Sequence, residues 1–150
     1  MHSDVKMIEL LNEVLKAELT AVNQHYLHAK LRENWGYLAG ANYSWITAGK
    51  LVERIVFLNG TPALTTLGPI RVGRDVKAQL ESDLALKLDG IHRLKAATKY
   101  ATESGDDVSQ ALVHSILSDD EERIDQIESQ LNAISELGIE EYLSLQLQKG

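Results

Sequence analysis

Residues 8–29 read IELLNEVLKAELTAVNQHYLHA, and their spacing decides the fold. Ile8, Leu11, Leu15, Glu18, Val22, His25 and Ala29 follow each other at alternating three- and four-residue intervals, the stripe of a bundle helix. Ser3 stands where a cap would open it. The same period recurs in two later segments. From about Asp75 to Ser104, Leu80, Leu84, Lys87, Ile91, Leu94, Thr98 and Ala101 share a face, and Gly105 stops the helix. Asp106 or Asp107 caps another, with Val113, Ile116, Asp120, Ile127, Leu131 and Ile134 on its stripe and Gly138 at its end. A further helix includes LVERIVFL and stops at Asn59-Gly60-Thr61-Pro62, while EEYLSLQL near the C-terminus forms a short fifth one. Strand signals are weak throughout. Two helices, a connection over residues 61–74 and two more helices predict an all-α, single-domain four-helix bundle with one long crossover. About 14 extended residues at roughly 3.3 Å each can run the length of a helix of about 28 residues.

Composition narrows the function classes. The 150 residues include no cysteine, which removes disulfides, thiolate zinc sites and thiol catalysis. A net charge of −7 argues against a basic surface for nucleic acid. The N-terminal MHSDVKMIELL is amphipathic, unlike a secretory signal, and no apolar run is long enough to span a bilayer, so the expected location is the cytoplasm.

Charged residues interrupt the apolar stripes. Glu18 and His25 do so in the first helix, Lys87 in the third, and Asp120 in the fourth, with Arg123 one turn further along DDEERID. A buried charge costs several kcal/mol unless it is paired or metal-bound, so these groups must meet partners near mid-bundle. Asp120 and Arg123 alternatively form an exposed i, i+3 pair. His25 and His28 have the spacing to share a metal, although His28 falls off the stripe. GYLAGANYSWITAG matches no phosphate-loop pattern and reads as a remodelled loop and helix start.

Four phrases give the chain a resemblance to the bacterioferritins, ferritin-like di-iron bundles: NEVLKAELTAVNQHYLHAKLRENWG, LVERIVFLNGTPALTTLGPIRVG, ESDLALKLDG and IEEYLSLQLQKG. The resemblance covers nearly the whole chain. It implies an iron-storage cage of 24 subunits built from two-fold dimers, in which each subunit oxidises Fe(II) at a di-iron centre. Haem b lies between two subunits on a pair of methionines. The implied di-iron ligands are a Glu from the first helix, Glu-x-x-His from the second, a Glu from the third and Glu-x-x-His from the fourth.

Carried over by position, only Glu18 matches. The second helix has lost about seven residues between Trp35 and Lys50, which places its Glu on Ser44, its His on Thr47 and the haem methionine on Trp45. The third-helix Glu falls on Lys87, and the fourth-helix pair on Asp120 and Arg123. Seven residues are two helical turns, a deletion that keeps a stripe in phase. Two carboxylates, Glu18 and Asp120, and two cations, Lys87 and Arg123, suggest a neutral ion-pair network where the family holds iron. Met1 and Met7, the chain's two methionines, lie far from the haem position. Trp45 either packs in the core or fills the pocket between paired subunits, whose wall the resemblance assigns to Leu19, Asn23 and Tyr26.

The expectation is a cage subunit with a degenerate ferroxidase centre and no catalytic residues of its own, storing iron as mineral beside catalytic bacterioferritin subunits, with neither di-iron centre nor haem expected. One rival keeps slow iron oxidation at Glu18 and Asp120 with Glu121 or Glu122. The other is a helical docking module that forms no cage.

Overall fold

The computed structural model describes residues 4–39 and 44–148. Its helices are α1 (Val5–Asn34), α2 (Ile46–Phe57), α3 (Val76–Ser104), α4 (Asp107–Leu137) and α5 (Ile139–Ser144). The all-α bundle expected from the periodicity is present, with α3 packed on α1 and α4, and α2 on α1 and α4. An isolated antiparallel bridge between Tyr37 and Leu147 ties the segment after α1 to the C-terminal tail.

The caps follow the local chemistry. Asp4 opens α1 by accepting the Met7 amide at 3.1 Å; Ser3, the expected cap, lies outside the described residues. Asp75 and Asp106 cap α3 and α4 in the same way. Gly105, with φ of 74°, takes the left-handed conformation that closes α3 and would strain a side chain.

The helices are unequal. α1 has 30 residues and α2 only 12, so at 1.5 Å per residue α2 accompanies α1 for less than half its length. The second helix is therefore not full-length. It is a short one, whose start falls near mid-bundle.

The core is correspondingly split. One apolar cluster joins Met7, Leu11, Leu15 and Leu19 to Leu51 and Ile55 of α2, Leu94 and Ala97 of α3, and Val113 and Ile116 of α4. A smaller one, at the other end, holds Val76, Leu80, Ile127, Ile134 and Tyr142. Between them lie buried polar groups.

The crossover is strapped to α1 along a second face of that helix. Asn12 accepts the Ala63 amide at 2.8 Å and donates to the Thr61 carbonyl at 3.1 Å. Thr20 Oγ1 accepts from Gly68 at 2.8 Å, Gln24 Oε1 from Arg71 at 2.9 Å, and His28 Nε2 from Gly73 at 3.0 Å. Spacings of four and eight residues place these side chains in one row, which satisfies backbone that would otherwise have no partner. Gly73 sits so close to α3 that a Cβ would meet the Gln79 amide nitrogen at 2.2 Å. Gly73→Ala is expected to lower stability by about 2–3 kcal/mol, because backbone must move to admit one methyl group. A denaturant midpoint within error of the parent protein would show that the crossover is held elsewhere.

Candidate functional site

The polar layer between the two apolar clusters contains nearly every charged residue that interrupts the stripes. Lys87 of α3 reaches across to α4, its Nζ donating to Asp120 Oδ1 at 3.2 Å, with side chains only 11% and 12% exposed. Both residues belong to the four-member network expected from the sequence. Burial raises the Asp120 carboxyl above its ordinary value, and Lys87 partly offsets that rise. Glu18, half-buried on α1, is pushed up to about 7. Burial is the main cause, opposed by Lys87 and reinforced by Asp120 and Asp119.

Arg123 does not join this network. It is half-buried, donates from Nη1 to Gln126 Oε1 at 3.2 Å, and leaves its buried Nε without a hydrogen-bond partner. The carboxylate whose field it feels is Asp83. The four-member network expected from the sequence is therefore two separate arrangements, Lys87 with Asp120 beside Glu18, and Arg123 near Asp83.

Asp83 is the site residue that the sequence reading missed. It is buried on α3 and accepts from Gln24 Nε2 at 2.8 Å and from His28 at 3.0 Å. Burial pushes its carboxyl upward, but the hydrogen bond from His28, the nearby His25 and the bond from Gln24 outweigh burial and hold it below the usual range. The stripe drawn through Leu84 passed it by. Drawn through Lys87 and back four residues, the stripe reaches Asp83.

His28 also differs from expectation. It is only 3% exposed and lies inside the protein. Since Nε2 accepts from Gly73, Nδ1 carries the proton donated to Asp83, which fixes the neutral tautomer and uses both ring nitrogens. His25, 7% exposed, points Nε2 at the same Asp83 oxygen from 3.8 Å and has no hydrogen-bond partner there. Burial lowers its pKa to about 4, so it is neutral at pH 7.

The second-helix positions fall outside this layer. Ser44 is exposed ahead of α2, its Oγ accepting from the Ile46 amide at 3.1 Å. Thr47 is half-buried in the first turn. Trp45, at the N-cap, is 58% exposed and so is not a core aromatic. Leu19 is buried, whereas Asn23 and Tyr26 are exposed. Met7 is fully buried in the first cluster, and Met1 lies outside the described residues. Among the described residues no group of three or more His, Asp and Glu side chains is arranged to hold a metal ion.

A cavity of about 360 Å³ opens beside the polar layer, lined by His25, His28 and Arg32 of α1, Asp83 of α3, Arg123 of α4 and Tyr142 of α5, among others. No α2 residue borders it.

This architecture, a four-helix bundle with one long crossover and charged side chains at mid-height, defines the ferritin-like class. The family model for the ferritin-like domain matches residues 8–137. The chain is 38% identical to the bacterioferritin of Mycobacterium leprae over 149 residues, covering 95% of this chain and 94% of that one. It is also 38% identical to the bacterioferritin of Brucella melitensis, covering 95% and 92%. The solved bacterioferritin of Rhodobacter capsulatus, with a metal-free dinuclear site and a haem iron on a crystallographic special position, superposes with a TM-score of 0.95 at 35% identity, covering 99% and 98%. The chain belongs to the bacterioferritin family. No helix among the described residues is long and apolar enough to cross a membrane.

The buried Glu18 has a consequence for stability. Its folded pKa of about 7 lies above the ordinary 4.5, so folding favours its protonated form. That contribution is complete below pH 4.5 and is lost as pH rises through 7. Glu18→Gln, with no proton to lose, is expected to exceed the parent in stability at pH 8 by on the order of 1–3 kcal/mol and to match it near pH 4. Unfolding in the presence of a chelator measures this, and an equal difference at both pH values would contradict the assignment.

Proposed function

We propose that this chain is a bacterioferritin shell subunit that has lost its own ferroxidase centre and works beside catalytic bacterioferritin subunits in a mixed iron-storing cage. The observation that carries the reading is the ion pair of Lys87 and Asp120 inside the bundle.

The donor set does not fit a di-iron centre. Of the six positions that the family resemblance assigns to iron ligands, Glu18 and Asp120 retain carboxylates, and Asp120 is already bonded to an ammonium. Ser44 is exposed ahead of the shortened helix, Thr47 carries a neutral hydroxyl, and Lys87 and Arg123 are cations. A fixed unit charge about 4 Å from another contributes about 4 kcal/mol at an effective dielectric near 20, and a divalent ion doubles that repulsion. No oxidation step is assigned to this chain's residues. Its role is to complete the shell and present an acidic surface, while neighbouring subunits supply the chemistry.

The haem position supports the same reading. Trp45 offers no ligand for iron, and its exposed indole joins the exposed Tyr26 and the α2 residues Ile46 and Phe57 as apolar surface for a second subunit. In the proposed two-fold dimer the indole fills space that haem b occupies in the family. The cytoplasm, where dissolved Fe(II) is available, is the proposed location.

Two measurements test this. Fe(II) added anaerobically to the pure chain and then mixed with oxygen is expected to show no rapid phase consuming two irons per subunit; such a phase would overturn the reading. Co-expression with a catalytic bacterioferritin is expected to give mixed shells by native mass spectrometry. A small oligomer, with or without that partner, would instead mark a docking module.

A further inference from the structure

The cavity beside the polar layer carries chemistry that neither the ion pair nor the proposed shell role uses. Two guanidiniums, Arg32 and Arg123, border it together with one carboxylate, Asp83. Asp83 is already occupied by Gln24 and His28. Arg32 donates its Nε to Gln79 at 2.7 Å, and among the described residues no acceptor meets its terminal amines. Arg123 has its Nε buried and unpartnered, and His25 has its Nε2 buried and unpartnered, the latter on a side chain only 8% exposed. A buried polar nitrogen left without a partner costs about 1–3 kcal/mol, more when charged, so these groups call for an acceptor.

We infer that this cavity binds a small oxyanion of the phosphate type. The charge balance selects the sign: two guanidiniums and one carboxylate, with both histidines able to remain neutral, leave one positive charge in surplus. A metal cation would face both guanidiniums, and His28 has no ring nitrogen to give it. An oxyanion would accept from the Arg123 fork and from Arg32, geometry that guanidinium provides for phosphate. His25 in its Nε2–H tautomer adds a neutral donor. The cavity volume of about 360 Å³ admits a phosphate with its remaining water. Among the described residues, none of α2 borders this space. The site does not depend on the proposed function and would stand whether or not the chain oxidises iron.

The experiment is calorimetric titration of the full-length chain, iron-free and in a phosphate-free buffer, with inorganic phosphate. One saturable site per chain is expected. Arg123→Gln should weaken it roughly ten- to hundredfold, the loss of a charge-assisted hydrogen bond, while circular dichroism reports an intact helical fold. Crystals of the unaltered chain soaked in arsenate provide a check that needs no variant, with an anomalous peak expected between Arg32 and Arg123. No saturable binding, binding unchanged by Arg123→Gln in a folded protein, or no arsenate peak in the cavity would each overturn the proposal.

Discussion

The contact between Lys87 and Asp120 organises the middle of this bundle. An ion pair taken out of water loses hydration worth several kcal/mol per ion and recovers it only if each charge keeps a close partner. Here α3 supplies the cation and α4 the anion, 3.2 Å apart, in a layer that separates two apolar clusters. Neither charge can be removed alone without stranding the other, so the pair holds the register of α3 against α4. It also settles the electrostatics. With Asp120 engaged and the Glu18 pKa raised to about 7, the layer sheds most of its uncompensated negative charge as pH falls below that value.

The second determinant is the double duty of α1. One face carries the apolar stripe, and a second carries Asn12, Thr20, Gln24 and His28, which hold the crossover through its backbone. Gln24 and His28 link the two systems, since each also donates to Asp83 in the polar layer. Crossover, buried carboxylate and cavity therefore form one hydrogen-bonded unit. No residue of α2 borders that cavity.

These relations were unequally visible in the sequence. The stripes of α1, α3 and α4 are long and regular, so their existence, their stops at Gly105 and Gly138 and the long crossover could all be read from periodicity and turn chemistry. Lys87 and Asp120 stood out because a charge inside an apolar stripe demands a partner. Asp83 and His28 did not, because polar residues on the second buried face of a helix look the same as residues on a solvated one. Only the path of the crossover reveals what they satisfy. Arg123 was placed in the network with Glu18 and Asp120 for a related reason: periodicity places a residue on a face but does not say which way a long side chain runs. The length of α2 was hidden too, since ITAGKLVERIVF has a clear end and an indistinct beginning.

The central claim is that a side-chain cation occupies the place where the family resemblance puts iron. Crystals of the assembled protein soaked anaerobically with Fe(II), with maps collected at the iron absorption edge, address it most directly. The account predicts no pair of anomalous peaks between Glu18 and Asp120, with the Lys87 ammonium still within hydrogen-bonding distance of Asp120. Two iron peaks in that space, and Lys87 turned out toward solvent, would contradict it.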